Sequence, residues 1–149
     1  NCFGCSPTNP YVLKCKFVDE GEYITCHWVP SENYQGFFHV LHGGIQATLI
    51  DEIASWAIFS HEKTAGVTTE MQVKYRRPVR TDQGEIWLRA KVTEVARRLV
   101  TAHVELFNEK NELATEADVV YMIYPEELAR KKLDWPGAEA FYKPVEEEE

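Results

Sequence analysis

The sequence has no long apolar run and no excess of basic charge. No apolar stretch approaches the roughly 18 residues that cross a membrane as a helix, and no basic segment followed by an apolar one marks a secretory signal. The chain has 16 basic residues against 24 acidic ones, which gives a formal charge of −8 at pH 7. Because phosphate contacts need clustered Lys and Arg, we expect neither nucleic acid nor a membrane to be a partner.

Internal repeats and interior linkers are also absent. A chain of 149 residues without such boundaries predicts one domain with one core. We expect this domain to span residues 1–125. We expect residues 126–149 to form a short helix and then an acidic, disordered tail that ends in the glutamate run 146–149.

All the cysteines lie near the start of the chain: Cys2, Cys5, Cys15 and Cys26. The first two have the CxxC spacing, at which two thiolates can hold one side of a tetrahedral zinc ion. The spacing to Cys15 and Cys26 does not suit a second pair of ligands, and no βαβ pattern surrounds the CxxC as in a redox motif. We therefore predict reduced thiols, no metal site and a cytoplasmic location.

Hydrophobic periodicity predicts two strands, one long helix and then four strands. The first two strands are expected over 13–19 and 23–29, and the helix from Gly43 to near His61. Later strands are expected over 66–77, over 85–95, and over 99–124 as two strands joined by a turn at 109–111. A short helix follows, with Pro125 in its first turn. Because no crossover helices separate the later strands, the pattern predicts an α+β fold with an antiparallel sheet of about six strands.

The strand after the helix alternates clearly. Its apolar and small side chains occupy every second position, and we expect that face to be buried. The residues of the face are Val67, Thr69, Met71, Val73 and Tyr75.

The long helix carries a narrow polar stripe. Apolar side chains cover well over half of its circumference, which is typical of an enclosed helix. Thr48, Asp51 and Ser55 lie within about 60° of one another in the remaining sector. A buried carboxylate costs several kcal/mol unless it is paired or hydrogen-bonded. Two interpretations stay open: Asp51 is satisfied by Thr48, Ser55 or nearby backbone and only fixes the helix, or it is catalytic.

The start of the helix favours catalysis. Gly43 and Gly44 allow another group to approach backbone N–H donors at the helix N-terminus, where negative charge is stabilised. Asp51 lies two turns further on. A donor for an oxyanion and a carboxylate base on one rigid helix are parts needed for acyl transfer to water.

These residues also carry a family resemblance. The string "HGGIQATLIDE" is similar to the signature of hotdog-fold acyl-CoA thioesterases, the group that contains phenylacetyl-CoA and hydroxybenzoyl-CoA thioesterases. "CFGCSPTNP" and "VKYRRPV" resemble other segments of that superfamily, so the resemblance runs from about Cys2 to Tyr124. It implies the hotdog fold, in which a curved antiparallel sheet wraps a long helix. It also implies a homodimer or a dimer of dimers, with the active site at the dimer interface.

The resemblance implies a role for each motif residue. Gly43 would polarise the thioester carbonyl through its N–H, and Asp51 would act as general base on water or as nucleophile through a mixed anhydride. Ser55 would hold the water or the carboxylate, and His42 would orient the turn. Some relatives have Asn or Gln seven residues before the first glycine, where this chain has Gly36, so the adjacent Gln35 is the candidate contact to the acyl carbonyl. In the family, the glycine and the acid at one thioester come from opposite subunits.

Substrate contacts are expected around the same helix and at strand ends. The phosphates of coenzyme A call for arginines near the mouth of the site, and aromatic side chains in the loop before the helix are candidates for the acyl pocket. The candidates are Gly44, Thr48, Phe37, Phe38, Arg76, Arg77, Arg80, Arg97 and Arg98. Coenzyme A enters as part of the substrate, and no separate cofactor is expected.

We therefore predict hydrolysis of an acyl- or aryl-acyl-CoA thioester to the free acid and coenzyme A. One alternative is a hotdog dehydratase or hydratase, although the prolines that accompany the histidine in those enzymes are missing beside His42. Another alternative is a non-enzymatic acyl-CoA-binding domain. Asp51 argues against that alternative, because a sensor has no need of a buried acid.

Overall fold

A computed structural model describes residues 2–142 as one long helix packed against a six-stranded antiparallel sheet. In chain order the elements are β1 (Phe17–Asp19), β2 (Ile24–Trp28), α1 (Gly43–Glu62), β3 (Gly66–Tyr75), β4 (Ile86–Ala96), β5 (Leu99–Phe107), β6 (Leu113–Ile123) and α2 (Glu126–Lys132). The strand order across the sheet is β1-β2-β4-β5-β6-β3. The predicted α+β architecture is confirmed.

Helix α1 forms the centre of the core. Leu49, Ile50, Ile53 and Ile58 are at most 1% exposed and pack against the inner face of the sheet. In β4, alternation gives the expected buried positions, with Ile86, Leu88 and Ala90 all inside. The helix ends one residue beyond the predicted His61, and Lys63 at its C-terminus has a φ of +57°.

Strand β3 differs from its prediction. Its alternation predicts one buried face, yet only Met71 and Val73 of that face are half-buried, while Val67, Thr69 and Tyr75 are exposed. The reason is its place at the edge of the sheet, where it pairs only with β6 among the described strands. Alternation of apolar and polar residues indicates that the two faces of a strand differ in polarity. Burial also requires a neighbouring element to cover the apolar face.

The lead-in to the sheet is also shorter than predicted. The strand expected over 13–19 begins only at Phe17, because Lys14 has a left-handed φ of +57°, which interrupts an extended chain. Leu13 and Cys15 are nevertheless buried, and the Trp28 indole N–H donates to the Leu13 carbonyl oxygen at 2.8 Å. The segment thus packs without pairing as a strand.

The chain after the sheet packs against the C-terminal end of α1. Trp135 and Ala129 form a small second cluster with Phe59, and the Tyr142 hydroxyl lies 2.7 Å from Ser60 Oγ. The predicted acidic tail 146–149 lies outside the described residues. Within the part that the structure describes, no helix is long and apolar enough to span a membrane.

Candidate active site

His42 organises the first turn of α1. Its side chain caps the helix, with Nδ1 accepting a hydrogen bond from the Gly44 N–H at 2.8 Å. A Cβ at position 44 would lie 3.0 Å from the imidazole ring, so glycine gives the ring its space. His42 therefore occupies the Gly44 amide and fixes the turn that presents Gly43.

The Gly43 amide differs from its neighbour. Among residues 2–142, no acceptor bonds to the Gly43 N–H, whereas the amides of Ile45 and Gln46 both donate to the His42 carbonyl oxygen. The carbonyl oxygen of the same residue does have a partner, since the Tyr75 hydroxyl donates to it at 2.7 Å. Burial raises the pKa of Tyr75, which keeps its hydroxyl protonated as a donor. The turn thus presents one free amide at the positive end of the helix.

Asp51 is held by two hydroxyls from the sheet. Thr68 Oγ1 on β3 donates to Asp51 Oδ1 at 2.8 Å, and the Tyr121 hydroxyl on β6 donates to the same oxygen at 2.9 Å. The other carboxylate oxygen, Oδ2, receives no hydrogen bond from the described residues. This asymmetry fixes the carboxylate plane and leaves one oxygen ready to accept a proton or to attack a carbonyl carbon.

Tyr121 is a positioning residue for that carboxylate. The side chain is only 4% exposed. Burial raises its pKa well above the ordinary value for tyrosine, and the neighbouring Asp51 charge raises it further. The phenol therefore stays protonated and remains a donor to Asp51.

Thr48 and Ser55, the polar neighbours of Asp51 on α1, make other contacts. Thr48 Oγ1 donates to the Gly44 carbonyl oxygen at 2.9 Å, and Ser55 Oγ donates to the Glu52 carbonyl oxygen at 2.6 Å. Both hydroxyls donate to the helix backbone, so neither supplies the hydrogen bond to Asp51 that one of the two interpretations assigned to them. Thr68 and Tyr121 were missed because only the packing of the sheet brings them to the helix.

One chain cannot bring Gly43 and Asp51 to the same thioester carbonyl. Asp51 lies eight residues after Gly43 in α1. At 1.5 Å per residue this separates them by about 12 Å along the axis. A carbonyl held by the amide would lie beyond the reach of a water molecule activated by the carboxylate of the same helix. Within one chain the Gly43 amide and the Asp51 carboxylate therefore do not meet at one point.

The loop before α1 lies on the surface. Gln35 Oε1 accepts a hydrogen bond from the His39 N–H at 3.3 Å, and the backbone of Gln35 bridges to Leu41 beside the helix start. Phe37 and Phe38 are 86% and 77% exposed. Within the described chain they line no enclosed acyl pocket, although their loop borders the Gly43 turn.

The arginines lie at two ends of the sheet. Arg76, Arg77 and Arg80 follow the C-terminal end of β3, whereas Arg97 and Arg98 form the turn between β4 and β5. The turn lies near Met122 and the start of β3. The ten-residue length of β3 separates the two groups by roughly 30 Å. One chain therefore does not gather all five arginines at one mouth.

Acids accompany the first arginine group. Arg76 pairs with Glu116 at 2.7 Å, and its guanidinium lowers the pKa of that carboxyl. Arg77 and Arg80 line a surface groove together with Lys110, beside Glu109 and Glu112. Two of the five predicted phosphate-binding arginines, Arg77 and Arg80, therefore meet in this groove.

Comparisons with known proteins identify the family. The sequence profile of the thioesterase superfamily matches residues 38–115, just over half of the chain. Acyl-coenzyme A thioesterase 13 of Mus musculus is 32% identical over 88 residues, which cover 58% of this chain and 62% of the mouse protein. The chain thus matches about three fifths of the length of that relative.

Solved structures give the same fold. Zebrafish thioesterase superfamily member 2 superposes with a TM-score of 0.69 at 26% identity, covering 78% of this chain and 88% of that one. The Streptococcus mutans protein smu.793, solved with bound acetyl CoA, superposes with a TM-score of 0.67 at 16% identity, covering 75% of this chain and 90% of that one. The matched profile and the shared architecture together show that this chain belongs to the thioesterase superfamily and adopts its hotdog fold.

Proposed function

We propose that this protein hydrolyses an acyl-CoA thioester to the free acid and coenzyme A. The observation that carries the proposal is the Asp51 carboxylate, with Oδ1 held by two hydroxyls and Oδ2 left open. Membership of the thioesterase superfamily supports the reaction class. The mouse relative is named an acyl-coenzyme A thioesterase, and the Streptococcus mutans neighbour binds acetyl CoA, which supports coenzyme A as the thiol.

The active unit in this proposal is a dimer. The 12 Å separation along α1 requires the Gly43 amide and the Asp51 carboxylate of one site to come from different copies. Among the described strands β3 is an edge with one neighbour, and an edge of ten residues is a template for pairing with a second chain. A two-fold axis across β3 would set two α1 helices antiparallel and join the amide of each to the carboxylate of the other. This arrangement yields two equivalent sites.

The sequence of β3 suits such pairing. In an antiparallel register centred on Gln72, Glu70 of each copy faces Lys74 of the other, and Met71 faces Val73. Opposite charges and apolar side chains therefore meet across the axis. The same register would cover the two half-buried side chains of β3, Met71 and Val73, with their counterparts.

The chemistry follows from the two half-sites. The Gly43 N–H donates a hydrogen bond to the thioester carbonyl oxygen and stabilises the negative charge that forms on it. Asp51 Oδ2 takes a proton from water as the water oxygen bonds to the carbonyl carbon. Collapse of the tetrahedral intermediate breaks the C–S bond, and the proton on Asp51 passes to the departing thiolate. In the nucleophilic variant, Oδ2 itself bonds to the carbonyl carbon and the C–S bond breaks, which releases the thiolate and leaves an anhydride. Water then opens the anhydride, which regenerates the Asp51 carboxylate, frees the acid and supplies the proton that the thiolate takes up.

The remaining predicted residues have supporting places in this scheme. His42 holds the turn, Ser55 lies one helical turn after Asp51 on the same polar stripe, and Gln35 lies on the loop beside the helix start, where it would contact a bound acyl group. The groove with Arg77 and Arg80 is the favoured place for coenzyme A phosphates, because guanidinium groups bind phosphate in a bidentate geometry. The scheme uses no cofactor beyond the coenzyme A of the substrate.

A thiol-release assay tests the proposal. Wild type and Asp51→Asn are incubated with a panel of acyl- and aryl-acyl-CoA substrates, and the free thiol is measured. We expect turnover of at least one substrate by wild type, and a loss of a hundredfold or more in Asp51→Asn because the base is removed. Circular dichroism checks that the variant folds. Tight acyl-CoA binding without thiol release by wild type would indicate a binding domain instead.

A further inference from the structure

We propose that Cys2, Cys5 and Glu52 bind one zinc ion that fastens the N-terminal segment to α1. One ligand atom from each of the three side chains lies within 4.8 Å of the other two. The Cys2 thiol already donates a hydrogen bond to Glu52 Oε1 at 3.3 Å. Two of the ligands come from the CxxC loop and the third from the helix that carries the proposed catalytic carboxylate.

The backbone of the N-terminal segment holds the two thiols in place. The Leu13 N–H donates to the Phe3 carbonyl oxygen at 3.0 Å, and the Cys15 N–H donates to the Gly4 carbonyl oxygen at 2.9 Å. These bonds tie the CxxC loop to the buried segment that follows it.

Gly4 gives the Glu52 carboxylate its place between the cysteines. A Cβ at position 4 would lie 2.5 Å from the Glu52 carboxyl carbon, so any other residue would displace that side chain. The loop is therefore shaped around the carboxylate.

The donor set suits zinc. Zinc binds thiolate sulfur at about 2.3 Å and carboxylate oxygen at about 2.0–2.2 Å in tetrahedral geometry, which places neighbouring ligand atoms roughly 3.5–3.8 Å apart. The observed group requires only small side-chain adjustments to reach these separations. Three protein ligands leave a fourth position for water.

The charges around Glu52 point to a cation as well. Its described hydrogen-bond partners are neutral donors, the Cys2 thiol and the Trp56 indole N–H. A divalent cation would displace the thiol protons and neutralise the carboxylate at the same time.

The sequence alone argues against a metal because it does not reveal the third ligand. Cys15 and Cys26 are buried in the core and lie outside the ligand group. Glu52 reaches the CxxC only because the N-terminal segment packs beside α1. Asp51 and Glu52 point about 100° apart around the helix axis. The zinc site and the Asp51 carboxylate of the proposed active site therefore lie on one helix but use different side chains.

Metal titration of the full chain tests this proposal. The protein is reduced, stripped with a chelator and titrated with zinc in competition with a chromophoric chelator. We expect one zinc per chain, and cobalt in its place should give a thiolate-to-metal charge-transfer band. Cys2→Ser and Cys5→Ser should each lose at least tenfold in zinc affinity, and so should Glu52→Gln.

Matched controls separate the ligands from their surroundings. Cys15→Ser removes a thiol outside the group, and Glu62→Gln removes a carboxylate elsewhere on α1. Both should bind zinc as wild type does, and circular dichroism checks the fold of every variant. Zinc should raise the melting temperature of wild type and leave that of the Cys2→Ser/Cys5→Ser double variant unchanged.

Three results would overturn the proposal. The first is a wild-type chain that takes up no zinc under these conditions. The second is equal affinity in Cys2→Ser, Cys5→Ser and wild type, which would indicate binding elsewhere. The third is unchanged zinc affinity in Glu52→Gln. This result would show that Glu52 is not a ligand and that the ion does not link the N-terminal segment to α1.

Discussion

Replacing Gly43 by proline removes the amide hydrogen of the proposed site, puts the ring Cδ in its place and keeps a residue that suits the start of the helix. Gly43 is the first residue of α1, the helical position that proline occupies most readily because its fixed φ suits the helix. His42 has a ψ of 133°, which is the extended conformation that a residue before proline requires. A Cβ at position 43 would meet the Tyr75 ring at 3.5 Å, an ordinary contact. The variant should therefore fold with its helix intact and without the free N–H.

The expected loss follows from the role of that N–H. Removing one donor from an oxyanion site costs about 10²–10³ in kcat, or about 3–4 kcal/mol. Gly43→Ala introduces the same Cβ and keeps the N–H, so it serves as the matched control and should retain most of the activity. Thiol release by both variants is compared under saturating substrate, with melting temperatures recorded alongside. Equal activity of Gly43→Pro and wild type would refute the role of the amide.

Further predictions concern the carboxylate, the edge strand and alkaline pH. Tyr121→Phe should lower kcat about tenfold with little change in KM, because it removes a hydrogen bond to Asp51 and no proposed substrate contact; steady-state kinetics check this. Glu70→Lys should weaken the dimer and Glu70→Lys/Lys74→Glu should restore it, as measured by analytical ultracentrifugation; unchanged association in the single variant would exclude the register centred on Gln72. Because burial raises the pKa of Tyr121 in the folded state, the unfolded chain loses this proton first, near pH ~10, and the free energy of unfolding should fall as pH rises above that value. Denaturant titrations should find a shallower fall in Tyr121→Phe.

The fold was largely predictable because its elements have strong local signals. The helix from Gly43 and the alternation in β4 depend on neighbouring residues, and both were found with nearly correct bounds. The burial of β3 was harder to predict, because its apolar side chains are buried only if another part of the protein packs on them. The start of β1 differs from the prediction because a single left-handed residue, Lys14, interrupts an otherwise extended pattern.

The site was predictable where its parts share one helix. Spacing relates Gly43 to Asp51 without any knowledge of the sheet. Thr68 and Tyr121 reach Asp51 through packing between α1 and two strands, and their local sequence does not predict that contact. Glu52 reaches the CxxC loop in the same way. Hydrophobic periodicity predicts local structure, so it does not predict contacts that form only when distant segments pack together.

Activity in a mixed dimer tests most directly whether each site is shared between two copies. Asp51→Asn and Gly43→Pro chains, each nearly inactive alone, are co-expressed with different affinity tags, and the mixed dimer is purified through both tags. If each site joins the amide of one copy to the carboxylate of the other, the mixed dimer contains one intact site of two. We expect thiol release at about half the wild-type rate per dimer. Activity no higher than that of the parent variants would contradict a site shared between two copies.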